Sequence, residues 1–157
     1  MAFELDEIDR GILHRLQDDA RHTTAADIAG DVGVTANTVR NRIRRLEDAG
    51  VIAGYVPIID YERTAKSMHM VVQCTVPIHE RGELAETALE IDGVIGVREL
   101  MTGHRNLRID LAAENSDEIT AAVSRLQRAG FEIEEEELIK AEYHQPFDHF
   151  GTDAVDS

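Results

Sequence analysis

The chain has 157 residues, 43% hydrophobic but only 4% aromatic and without Trp, so it can bury an aliphatic core in one ordinary domain or two small ones. Its 31 acidic residues outnumber 16 basic ones, for a net charge of −15, and the lone Cys74 excludes an internal disulfide framework. No apolar run nears the roughly 18–20 residues that span a bilayer, and the start MAFELDEIDR lacks an apolar signal core, so a cytoplasmic chain without a membrane partner is expected.

Charge divides the chain. Residues 1–66 carry 9 Lys and Arg against 12 Asp and Glu, net −3; residues 67–157 carry 7 against 19, net −12. Of the 16 basic residues 14 are Arg, and only Lys66 and Lys140 are Lys. A dense carboxylate surface poor in Lys fits a salt-rich, haloarchaeal-type cytoplasm, where screening removes self-repulsion.

In chain order, LDEIDRGILHRLQDD places Leu5, Ile8, Ile12, Leu13 and Leu16 on one helical face, with acids in the first turn. TAADIAGDVG opens on Thr24 and Asp27, a helix start signal, and closes on Gly33. Thr35 is the expected N-cap of a third helix, in which Val39, Ile43 and Leu46 are buried and Gly50 is the stop. This is a helix-turn-helix pattern. VIAGYVPIID then suits a small wing and an extended linker. The expected boundaries are 1–54 for a winged helix-turn-helix domain and 55–66 for the linker.

The period changes after the linker. Residues 68–78 alternate, with Met70, Val72, Cys74, Val76 and Ile78 on one face. Residues 80–91 read as a helix. Residues 94–103 and 106–115 read as two strands joined at Gly103–Arg105. Ser116 is the expected cap of a helix ended by Gly130, and 131–143 is a last strand, an edge protected by Glu134–Glu137. The order βαββαβ is ferredoxin-like and makes the whole chain α+β. That domain is expected over 67–143, with an acidic tail over 144–157. Cys74, in an apolar alternation, reads as a small buried hydrophobe.

The third helix holds four arginines, Arg40, Arg42, Arg44 and Arg45, within six residues. With Val39, Ile43 and Leu46 inward, Asn37, Asn41, Arg44 and Arg45 point away, and Thr38, Arg40 and Arg42 flank them. Such a helix offers Thr35, Asn37, Thr38 and Asn41 to base edges, and Arg40, Arg44 and Arg45 to phosphates or guanines. Arg42 is less well aimed. A solvated amphipathic helix with arginines paired to Glu47 or Asp48 is the bland alternative; the helix-turn-helix context favours double-stranded DNA.

LDEIDRGILHRLQDDAR followed by IAGDVGVTANTVRNRIRRLEDAGVIAGY closely resembles the DNA-binding domain of the Lrp/AsnC (leucine-responsive regulator) family of transcription factors. The resemblance extends over about residues 4–143. It implies a sequence-specific, non-enzymatic regulator that binds a pseudo-palindromic operator as a homodimer, assembling further into tetramers or octamers with sheets face to face. It also implies a small-molecule effector, often an amino acid, held between dimers at the turn Thr102-Gly103-His104-Arg105-Asn106. The family pattern there is Thr-Gly-x-x-Asp, and Asn106 stands at the acid. Asn106 lacks the charge that holds an ammonium group, while His104 and Arg105 add donors suited to anions. The expected effector is therefore a more acidic small molecule, or no free amino acid binds; a purely structural hairpin stays open too.

No metal or cofactor is expected. His69 and His79 flank one strand, and His144 and His149, with Asp148, fall in the tail, without zinc-site spacing. Two alternatives remain: a sirohaem decarboxylase-like subunit on the same two-domain build, suggested by GHRNL, and a sensor that has lost DNA binding. The intact arginine face argues against both.

Overall fold

In the computed structural model, which describes residues 2–147, the first unit is made of three helices: α1 (Glu7–Asp19), α2 (Ala25–Val32) and α3 (Ala36–Asp48). Each starts where a side chain can satisfy the free N–H groups of a first turn. Asp6 Oδ1 accepts from Asp9 N–H at 2.8 Å while Asp9 Oδ2 accepts from Asp6 N–H at 3.2 Å. Thr24 and Asp27 close the same reciprocal box at 3.1 and 2.9 Å. Thr35 Oγ1 caps α3 through Thr38 N–H at 3.1 Å. Gly33 ends α2 at φ 73°, a left-handed conformation that a side chain disfavours.

The apolar faces meet as the spacing requires. Ile12, Leu13, Ile28, Ala29, Val39 and Leu46 form a buried cluster, and Leu5, Ile8, Leu16, Val32 and Ile43 pack against it. Full burial of a side chain such as Ile12, Ile28 or Leu46 contributes about 1.5–3 kcal/mol. The segment expected as a wing carries no strand: residues 53–60 form neither helix nor ladder. It is tied to α3 by Tyr55, whose hydroxyl donates to Glu47 Oε1 at 2.8 Å. Burial and that carboxylate push the phenol up to about 12. Tyr143–Phe147 group with this unit, and Phe147 N–H donates to Gln17 Oε1 at 3.3 Å.

The second unit, residues 58–142, contains β1 (Met68–Thr75), α4 (Arg81–Leu89), β2 (Val94–Glu99), β3 (Leu107–Ala113), α5 (Ser116–Arg128) and β4 (Glu132–Leu138). The strands form one antiparallel sheet in the order β2-β3-β1-β4, the ferredoxin-like arrangement. The later strands are shorter than the expected 94–103, 106–115 and 131–143, and other local expectations shift too. β1 stops at Thr75 because Pro77 cannot donate to a ladder and a 3-10 turn, Ile78–Glu80, follows. Ile78 is therefore exposed, and His79 is not at a strand end. The cap of α5 is Asn115, not Ser116: its Oδ1 accepts from Glu118 N–H at 3.1 Å.

One sheet face packs on α4 and α5: Met70, Val72, Cys74, Leu107, Ile109 and Leu111 meet Ala85, Ala88, Ile119, Ala122, Val123 and Leu126. Burial, helped by the charges of Glu134 and Glu136, pushes the Cys74 thiol up to about 12, so it is a core hydrophobe and no nucleophile. The other face is polar. Register aligns a row across all four strands, Arg98–Arg108–Gln73–Glu135, running from basic to acidic. Arg108 Nε is buried there without a hydrogen-bond partner among the described residues.

Candidate nucleic-acid interface

Helix α3 divides its polar residues into two sets. Asn37, Arg40, Asn41 and Arg44 are exposed. Among the described residues none of these side chains makes a hydrogen bond or ion pair. Thr35 and Thr38 sit at the N-terminus with their hydroxyls 2.9 Å apart. Such a row, beginning at a helix N-terminus, can donate to phosphates and read base edges.

The second set is turned toward α1. Arg42 Nη1 donates to Asp6 Oδ2 and, at 3.1 Å, to Asp9 Oδ1. Arg45 Nη2 donates to Asp9 Oδ2 at 2.9 Å, and its guanidinium lies 5.0 Å from the centre of the Phe3 ring. Asp9 is fully buried. Arg45, expected as a candidate for phosphate or guanine, pairs with this buried carboxylate while its side chain stays half exposed. Burial alone would raise the Asp6 carboxyl, but hydrogen bonds from Asp9 N–H and Arg42, with the Arg42 charge, hold it below the usual carboxylate value. The same contacts raise Arg42, Asp6 first. The sequence reading missed Asp6 and Asp9 as partners of α3. Their available signal was an acid at position 9 beside the apolar Ile8 and Ile12, on the face that α1 buries.

Residues 5–53 match the family model for winged helix-turn-helix DNA binding. The leucine-responsive regulatory protein of Rhizobium meliloti is 34% identical over 116 residues, covering 71% of this chain and 72% of that one. This chain belongs to the Lrp/AsnC family of transcription regulators. A second relative, the HTH-type transcriptional regulator FL11 of Pyrococcus horikoshii, is 30% identical over 119 residues, 76% of this chain and 78% of that one. The fold of the Lrp/AsnC unit extends to a solved structure, the regulator NMB0573 of Neisseria meningitidis in complex with L-Met. That likeness has a TM-score of 0.72 at 16% identity, covering 91% of this chain and 94% of the other. These relatives are transcription regulators, not enzymes, and the decarboxylase alternative falls with that.

In this Lrp/AsnC chain the side chains of the turn expected to hold an effector find partners within the second unit. Asn106 is fully buried: its Oδ1 accepts from Val76 N–H at 2.9 Å and its Nδ2 donates to Val76 O at 2.7 Å. His104 Nδ1 lies 3.3 Å from Glu134 Oε1, and Arg105 Nη1 donates to Glu135 Oε2 at 3.0 Å. Thr75 Oγ1 accepts from Arg105 N–H at 2.8 Å and donates to Glu134 at 2.9 Å. Thr102 Oγ1 donates to His104 O at 2.8 Å, and Gly103 lies at the rim of an open hollow of about 510 Å³ with Thr75 and Ile78. Arg105 takes φ 50° to make this turn. Among the described residues no cluster of three metal-ligating side chains occurs, and no helix is long and apolar enough to cross a membrane. The histidine pair considered in the tail includes His149, which with Asp148 lies outside the described residues.

Proposed function

We propose that α3 reads a pseudo-palindromic operator, with Asn37 and Asn41 on base edges, Thr35 and Thr38 at the helix start, and Arg40 and Arg44 on phosphates or guanines. The observation that carries this is the row of partner-free polar side chains on the outward face of a helix-turn-helix. A homodimer presents two such helices to two half-sites. A good bidentate base contact is worth about 1–3 kcal/mol of discrimination. Asn41→Ala combined with Arg44→Ala is therefore expected to weaken operator binding by at least about thirty-fold. A mobility-shift titration with unchanged affinity for the double variant defeats the proposal.

The polar sheet face supports association of second units face to face, as dimers that assemble further. Arg98 opposite Arg108 is a like-charge pair, unfavourable unless acids cover it. The dense acidity and scarcity of Lys support operation in a salt-rich cytoplasm.

At the turn 102–106 the geometry favours the reading in which no free amino acid binds. Glu134 and Glu135 already occupy His104 and Arg105, and Asn106 is fully buried against Val76. Any anionic effector must displace carboxylates already in place. Calorimetric titration with the common L-amino acids, aspartate and glutamate included, is expected to give no heat of binding; micromolar binding of any of them overturns this reading.

A further inference from the structure

We infer that Asp9 is the positioning residue of the reading helix, and that Arg42 and Arg45 serve it and not DNA. This rests on the assignment of α3 to DNA reading. Asp9 has no exposed surface, and its contacts leave little freedom. Oδ1 accepts from Arg42 at 3.1 Å; Oδ2 accepts from Arg45 at 2.9 Å and from Asp6 N–H at 3.2 Å. Asp6 adds a second carboxylate on Arg42, and Phe3 lies against Arg45.

Arg42 and Arg45 are three residues apart, hence neighbours on one stripe of α3. Both converge on a single carboxylate fixed in the first turn of α1. A hydrophobic contact alone tolerates rotation of a helix about its axis. Two charge-assisted hydrogen bonds to one buried acid do not, because their geometry is directional. Asn37, Asn41 and Arg44 share a different stripe, spaced at i, i+4 and i+7. Holding the Arg42–Arg45 stripe toward Asp9 therefore holds the Asn37–Asn41–Arg44 stripe outward. A buried ion pair is a weak source of net stability, and its better-attested use is to select one arrangement.

The assignment predicts how binding responds to salt. Each phosphate neutralised by a basic side chain contributes about −0.9 to the slope of log K against log salt. A guanidinium already neutralised by Asp9 contributes nothing. Fluorescence anisotropy over a salt series, on operator and non-operator duplexes with the full chain, separates the roles. Arg45→Gln is expected to keep the wild-type slope while the operator preference falls several-fold. Asp9→Asn frees Arg45, while Asp6 still pairs with Arg42: non-operator affinity rises, the slope steepens by up to about 0.9, and the operator preference falls at least tenfold.

A slope reduced by about 0.9 in Arg45→Gln, with preference intact, makes Arg45 a phosphate contact and overturns the inference. So does an Asp9→Asn chain that keeps both slope and preference. If circular dichroism shows Asp9→Asn unfolded, the Arg45→Gln slope decides alone. The reading of α3 itself fails separately, through the Asn41→Ala/Arg44→Ala variant.

Discussion

Asn106 shows how a sequence names a residue without giving the direction of its side chain. In a Thr-Gly-x-x-Asp pattern it stands at the acid, and the sequence suggests a ligand contact with altered charge. The structure turns it inward, where a carboxamide matches both the N–H and the C=O of Val76. A carboxylate offers acceptors only and would face the Val76 carbonyl without a proton to share. The direction of a side chain at a turn depends on partners 30 residues away, and no local pattern encodes that. The carboxylates of the first unit make a prediction at the same scale. Hydrogen bonds from the His22 backbone and ring hold Asp19 below its ordinary value; the Thr24 side chain and backbone do so for Asp27. Asp6 is held low by Asp9 N–H and Arg42 against the opposing effect of burial. Folded values below unfolded ones stabilise the fold at neutral pH, and that contribution is lost as pH falls through the folded values. The unfolding midpoint of the first unit, followed by circular dichroism, is expected to be flat from pH 7 to about 5 and to drop below about pH 4. A midpoint that rises on acidification contradicts this.

At the scale of elements, most of the fold was legible because its signals are local. Thr24 with Asp27, Thr35 with Thr38, and Gly33 at φ 73° are each set by residues within a turn of one another. Strand faces were legible for the same reason: alternation over Met70, Val72 and Cys74 fixes which side meets the helices. The shifts arose where two local signals compete. Pro77 ended β1 before the alternation did, and Asn115 took the cap of α5 ahead of the adjacent Ser116. The expected wing is different in kind. Residues 53–60 form no ladder, Val56 and Ile58 are exposed, and strand pairing there needs a partner outside the element. The pairing of α3 with Asp9 was hidden similarly, because an acid inside an apolar face reads locally as an exception. Only the fold brings Arg42 and Arg45 to it, 33 and 36 residues further on.

For the whole molecule, the charge split first visible in the sequence takes on geometry. The second half carries −12 of the −15, yet its arginines Arg98 and Arg108 are concentrated at one side of the polar sheet face and Glu135 and Glu137 at the other. If two sheets associate through this face, acids of one copy can cover arginines of the other. Arg108→Glu is then expected to shift a solution assembly toward smaller species. Light scattering in molar potassium chloride is the appropriate measurement, since the chain is proposed to work in concentrated salt; there the wild type should stay folded and assembled. Dissociation of the wild type under those conditions, or no effect of the single reversal, would sink the idea.

The row Arg98–Arg108–Gln73–Glu135 has one more consequence. A surface basic at one edge and acidic at the other works as a keyed plug: stacked one way round it repels its twin, and stacked the other way round it accepts it. A cell that holds several regulators of this build must keep their subunits from mixing. If second units associate through this face, a sister chain with a neutral or reversed row would present the wrong key, and these four residues would then let the protein tell its own copies from those of its kin.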